Sequence, residues 1–139
     1  MRFFIDTSIF VDNLKLKPVS SSKSLFKSLQ KGNQGFASTI TVAELSVGAY
    51  LSPRTDALEK TLELLSLVSI VDLNREIAMQ GGNIYSKLVK EGQEIELNDC
   101  LIAATSLSLG ISDLVTRNTE HFERIEEINT LTPEDLGFK

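Results

Sequence analysis

One cysteine, one histidine and no apolar run long enough to span a bilayer set the first limits on this chain of 139 residues. A lone thiol cannot close an intramolecular disulfide. Cys100 lies in "CLIAAT", reads as a small buried residue, and suits a reducing compartment. A membrane span needs about 20 consecutive apolar residues, and no stretch approaches that. The apolar run after Arg2 is cut short by Asp6, unlike the core of a signal peptide, so a cytoplasmic location is expected. The only imidazole, His121, is the sole candidate for a histidine base, and a surface place beside Phe122 is the plainer expectation.

Positive charge is also scarce. Fourteen Lys and Arg stand against nineteen Asp and Glu, for a net charge of −5. That argues against a protein that coats or slides along DNA, whose affinity comes from many phosphate contacts. It leaves room for a nucleic-acid enzyme with a local basic rim around an acidic, metal-holding centre. Repeats, linkers and low-complexity tracts are absent, and the length suits one domain spanning 1–139.

Short apolar runs alternate with segments of helical period. "RFFI", "FASTI", "SIVDL", "DLVT" and "INTL" read as strands. Between them, helices are expected around "SIFVDNL", "SKSLFKSLQKG", "TVAELSVGAYL" and "PRTDALEKTLELLSLV", the last with Leu58, Leu62 and Leu65 on one face. A further helix carries Ile77, Gly81, Ile84, Tyr85 and Leu88 as its inner stripe. The Gly81-Gly82 pair weakens it, at about 1 kcal/mol per glycine, which points to close helix packing or a kink. "NDCLIAATSLSLG" is apolar almost all round and reads as a buried helix. Alternating strands and helices predict an α/β sandwich of three layers, α/β/α, around a mostly parallel sheet of four or five strands. In such sheets the functional crevice lies beyond the carboxyl ends of the strands.

That rule singles out Asp6 after the first strand, Glu44 after the second, and Thr116-Arg117-Asn118 after the fourth. Asp99 joins them if its buried helix runs against the same edge. Each acid has a plain structural explanation: a strand-end turn for Asp6, a capping box Thr41-Val42-Ala43-Glu44, and a helix first turn for Asp99. Gathered at one edge they mean more. Like charges brought together repel unless a cation joins them, and oxygen ligands suit Mg²⁺ or Mn²⁺.

Four stretches, "FFIDTSIFVDNL", "STITVAELSVG", "ELNDCLIAATSLSLG" and "LVTRNTEHFERI", resemble the PIN domain, and within it the ribonuclease toxins of VapBC toxin–antitoxin pairs. The resemblance covers nearly the whole chain, with the four motifs in order. It implies a Rossmann-like fold, a Mg²⁺- or Mn²⁺-dependent endoribonuclease, an RNA substrate, a cognate antitoxin and a homodimer. It also implies that Asp6, Asp99 and Glu44 hold the metal, with Thr7 or Ser8 orienting Asp6 and Thr116 lining the pocket. Thr7 or Ser8 would then cap the first helix and free Asp6 for the ion. Many PIN domains place a fourth acid where this chain has Asn118, which leaves one charge fewer at the site. Arg117 and Arg124 are candidate contacts to RNA phosphates, or else surface partners of nearby glutamates.

Two other readings compete. A phosphotransfer domain with Asp6 as nucleophile wants a second acid close to it, and Ser8 stands two residues on instead. A PIN-fold module with weakened catalysis, binding RNA or a protein, has Asn118 as its one supporting feature, against three retained carboxylates.

Overall fold

Phe3, Phe4 and Ile5 are all fully buried, which requires a strand covered on both faces. The computed structural model describes residues 1–139 and puts them in β1 (Arg2–Ile5), the centre of a five-stranded sheet. After β1 come α1 (Thr7–Leu14), α2 (Ser20–Ser28), β2 (Gln34–Ser38), α3 (Thr39–Leu51), α4 (Ala57–Leu65) and β3 (Ser69–Val71). The second half runs through α5 (Arg75–Lys90), α6 (Leu97–Ser108), β4 (Asp113–Val115), α7 (Thr119–Phe122), β5 (Asn129–Leu131) and a 3-10 turn, Glu134–Leu136.

The strand order is β3-β2-β1-β4-β5, and every pairing is parallel. Side chains alternate across a strand, so neighbours on β1 enter opposite layers. Phe3 and Ile5 pack with Ile9, Phe10, Leu25, Phe26, Leu45 and Leu65 from α1 to α4. Phe4 packs with Leu88, Cys100, Ile102, Ala103 and Phe122 from α5 to α7. The three-layer α/β/α sandwich expected from the sequence is therefore present, with its sheet wholly parallel. The chain builds outward from β1 to β3, then crosses back to β4. This makes the β1–β4 gap the switch point where such folds open a crevice. No helix is long and apolar enough to cross a membrane.

Two local expectations change. Ser38 caps α3, its Oγ accepting from the Ile40 N–H at 3.0 Å. The helix thus starts before Thr41, and Glu44 stands in its second turn rather than closing a capping box. On α4, Leu65 is buried, but the inward partner is Thr61, whose hydroxyl donates to the Ala57 carbonyl at 2.9 Å. Leu58 and Leu62 face outward, at 39% and 58% exposure.

The glycine pair resolves as close packing. α5 runs unbroken through both residues. A Cβ on Gly81 would lie 2.5 Å from Leu101 Cδ2 and 3.2 Å from its Cα, whereas one on Gly82 would meet nothing within 4 Å. Gly81→Ala is therefore expected to destabilise the fold by about 1–3 kcal/mol through overpacking. Gly82→Ala should stabilise it by about 0.4–1 kcal/mol through reduced freedom of the unfolded chain. Urea melts of the two variants check this opposition of sign.

Candidate active site

Asp6 takes the first position beyond β1, and its N–H donates to the Val115 carbonyl of β4 at 2.9 Å. The carboxylate thus stands at the switch point, 2% exposed. Asp6 is itself the N-cap of α1, accepting from the Ser8 N–H at 3.4 Å. Neither Thr7 nor Ser8 caps the helix, contrary to the sequence expectation; the fixed start of the strand leaves the cap position to Asp6. The same oxygen, Oδ2, also accepts from the Ser8 hydroxyl at 2.7 Å and the Thr116 hydroxyl at 2.8 Å. Each hydroxyl in turn accepts a backbone N–H: Ser8 from Arg117 at 2.9 Å, Thr116 from Asn118 at 2.9 Å. These chained bonds polarise one another. They saturate Oδ2 and leave Oδ1 without a side-chain donor. Burial pushes the Asp6 carboxyl above its ordinary range, although the bonds from Ser8, Thr116 and Thr7 work the other way.

Thr7 serves a different acid. Its hydroxyl donates to Glu44 Oε1 at 2.8 Å and lies 2.9 Å from the Thr41 hydroxyl. Thr7 has one proton and gives it to Glu44, so Thr41 is the donor of that second bond. Glu44 is thereby tied to the start of α1 from across the cleft.

Asp99 lies in the first turn of α6. Its side chain is 14% exposed, and the imidazole of His121 lies beside it, Nδ1 at 3.9 Å. No N–H or O–H in the chain donates to its carboxylate. Burial first, then the charges of Asp6, Glu44 and Glu96, push the Asp99 carboxyl up to about 7. Burial and the charge of Asp99 raise the neighbouring Cys100 thiol to about 11, so that thiol is an inert packing group.

Asp6, Glu44, Asp99 and Asn118 line one cleft of about 580 Å³, together with Thr7, Ser8, Glu96 and His121. No three of its carboxylate or imidazole groups converge tightly enough to hold one ion as they stand. The donor set still fits a hard divalent cation. It offers carboxylate oxygens, one of them on Asp99 with no donor of its own, at the end of a parallel sheet.

Two assignments from the sequence change here. Arg117 is held inside the structure: Nε donates to Asp12 Oδ2 at 2.7 Å, Nη1 to Glu134 Oε1 at 2.7 Å, and Nη2 to the Ser21 and Ser22 hydroxyls at 2.9 and 3.1 Å. It therefore clamps α1, α2 and the carboxyl-terminal turn and is not a free phosphate contact. Arg124 donates to the Glu94 carbonyl at 3.1 Å and lines a different hollow beside α5, away from the cleft. His121 is exposed beside the buried Phe122, as expected, and it also borders the cleft, with Nδ1 3.9 Å from Asp99. Glu96, missed in the sequence, stands one helical turn before Asp99 and lines the cleft with it. The i, i+3 spacing in "ELND" was the available signal. Lys15, also missed, is the cleft's second cation.

An all-parallel α/β/α domain with carboxylates gathered at its switch point is an acidic-crevice domain of the doubly wound class, with a ligand crevice beyond the carboxyl ends of its strands. The class narrows to one family: the PIN domain matches residues 3–128, and the chain belongs to the PIN-domain family. It is similar to the "Ribonuclease VapC2" of Haemophilus influenzae, at 34% identity over 131 residues covering 94% of this chain and 96% of that one. It is also similar to the "tRNA(fMet)-specific endonuclease VapC" of Shigella flexneri, at 29% identity over the same length. Among solved structures, VapBC2 from Rickettsia felis bound to a DNA fragment from its promoter superposes with a TM-score of 0.83. That match has 28% identity and covers 95% of this chain and 98% of that one.

Two consequences are measurable. A carboxyl whose folded pKa lies above its unfolded value of 3.8 binds its proton more tightly in the folded state. Its contribution to stability is then fully present below about pH 4 and lost as pH rises through about 7. In chelator, Asp99→Asn should flatten that decline and be more stable than wild type at pH 8; urea melts from pH 4 to 8 test it. Arg117→Ala would strand Asp12, which burial would raise but which the Arg117 and Ser22 hydrogen bonds hold below its ordinary range. The loss should be about 3 kcal/mol, and Arg117→Lys should recover little, because one ammonium cannot replace the planar fork. A surface phosphate contact would instead leave the melt unchanged.

Proposed function

We propose that this chain is a divalent-metal-dependent endoribonuclease acting as the toxin of a VapBC-type pair. The observation that carries the reading is the pairing of a rigidly anchored Asp6 with a donor-free Asp99 in one acidic cleft. The named activity of the relatives, ribonuclease and tRNA(fMet)-specific endonuclease, supports it.

Asp6, Asp99 and Glu44 would hold Mg²⁺ or Mn²⁺. When bound, the ion supplies an activated water and neutralises charge developing on the scissile phosphate. The remaining work falls to the chain's own residues. Ser8 and Thr116 fix Asp6 so that only Oδ1 turns to the ligand. Thr7 and Thr41 hold Glu44 where its second oxygen can orient an attacking water. Asn118 gives the cleft an amide where a fourth acid would add charge, so an ion bound there would draw on the three carboxylates of Asp6, Glu44 and Asp99.

Two partners follow. A cognate antitoxin is proposed because the solved relatives are VapBC complexes. A homodimer is proposed because Val47, Tyr50 and Leu51 on α3 are at least half exposed and recur at helical spacing, beside Leu58 and Leu62 on α4. Contiguous apolar surface of that kind commonly marks a protein interface. The place of action would be the cytoplasm, where the RNA is.

Purified protein should cleave transfer RNA in Mg²⁺ or Mn²⁺, lose that activity in excess chelator, and lose it with Asp6→Asn. Undiminished cleavage in chelator would sink the reading. At ten times its dissociation constant, Mg²⁺ should raise wild-type stability by about 1.4 kcal/mol and that of Asp99→Asn by much less, read by thermal melts. In bacteria, expression of the wild type alone should arrest growth, and Asp6→Asn should relieve the arrest.

A further inference from the structure

The cleft has one exit whose charge is reversed. A groove of about 230 Å³ between α1, α3 and α4 shares Val11, Lys15 and Glu44 with the acidic cleft, so the two are continuous. Its charged lining is Lys15, Arg54 and Lys60, with Glu44 the only acid, at the end that opens into the cleft. A second hollow of about 200 Å³ alongside is lined by the same three cations and no acid. The hollow on the other flank, which holds Lys87 and Arg124, also carries Glu91, Glu126 and Glu127. Of the hollows on either side of the cleft, the α1–α3–α4 side is therefore the one whose lining attracts a polyanion.

We propose that a single-stranded segment of the RNA substrate runs from the cleft along this groove, with Lys15, Arg54 and Lys60 contacting its phosphates. The inference rests on the ribonuclease reading and names the residues that hold the substrate outside the reacting centre. The three cations are available for the role. Lys60 forms no ion pair, and Lys15 lies 3.5 Å from Asp12, whose other oxygen is already taken by Arg117 and Ser22. Arg54 meets Asp56 at 3.3 Å in an exposed pair, an arrangement worth little in water, and its Nη1 donates to the Leu14 carbonyl. Lys15 and Arg54 also complement the carboxyl end of α1, but Lys60, in the middle of α4, has no such structural reason. Leu14, Leu45 and Ala49 give the groove an apolar wall against which base faces can lie. A positively charged groove that tracks the backbone is one of the two devices by which single strands are held without sequence reading; the other, aromatic stacking, has no residue in this groove, so the phosphate contacts carry the affinity.

The test uses full-length Asp6→Asn protein in chelator and a fluorescein-labelled oligouridylate, with affinity followed across KCl concentrations. For single strands, each phosphate contact contributes about 0.7 to the slope of log affinity against log salt. Lys15→Gln, Arg54→Gln and Lys60→Gln combined should lower that slope by about 2, and Lys60→Gln alone, which disturbs no packing, by about 0.7. The Lys87→Gln, Arg124→Gln pair should leave it unchanged. An unaltered slope in the triple variant, or an equal loss in the control pair, overturns the path. So does a triple variant that keeps the RNA slope but loses binding to a decaglutamate peptide, since the groove would then serve an acidic protein. Cleavage by wild type in Mg²⁺ is scored separately. A protein that cleaves with the path overturned retains its nuclease role, whereas one that binds as expected but never cleaves loses it.

Discussion

Oδ2 of Asp6 is the atom on which the site depends. It accepts two hydroxyls and a backbone N–H, and through them joins the start of α1, the end of β1 and the loop after β4. The strand pairing brings those segments near one another; the hydroxyls then set the angle of the carboxylate. Because Ser8 and Thr116 each pass on a backbone N–H from the loop after β4, Asp6 cannot rotate without breaking a chain of four hydrogen bonds. The fold therefore presents one carboxylate oxygen in a fixed direction, which a catalytic centre requires and a solvated surface aspartate lacks.

Asp99 shows the opposite condition. Nothing in the chain donates to it, and three neighbouring acids raise the work of ionising it. A carboxylate so placed, in a buried setting among other acids, is costly to ionise in the folded protein, and a bound cation would offset that cost. Asp6 and Asp99 divide the problem between them, one anchored by hydroxyls and one left to the ligand. Asp99 is the third residue of α6, behind the N-cap Glu96, so the helix dipole favours its charge without any hydrogen bond to it.

The fold was legible because β1 is buried on both faces and says so in its composition, and because the strand and helix periods alternate without interruption. The acids were legible because each follows a strand or opens a buried helix. What sequence could not show was which donor serves which acceptor. Thr7 and Ser8 are adjacent, yet one serves Glu44 and the other Asp6, since successive positions on α1 face different walls of the cleft. Arg117 lies at a strand end that usually faces ligand, but Asp12, Glu134 and two serines, distant in sequence, converge to claim it. Leu58 and Leu62 satisfy a helical stripe as well as Leu65 does. Only the packing of α4 against α3 decides that Thr61 turns inward instead.

The distribution of charge links these features. On the proposed function, acids gathered to hold a divalent ion would make the cleft repel the polyanion on which that ion would act. Arg117 cannot relieve this repulsion, because its charge is balanced internally by Asp12 and Glu134. On the proposed path the relief comes from cations at the edge of the cleft and along the adjoining groove, since the field of an exposed charge fades over a Debye length of about 8 Å at physiological salt. Lys15 sits at that border, lining both the cleft and the groove, with Arg54 and Lys60 further along. An acidic protein can thus draw in a strand by a local field while its net charge discourages indiscriminate nucleic-acid binding elsewhere on the surface.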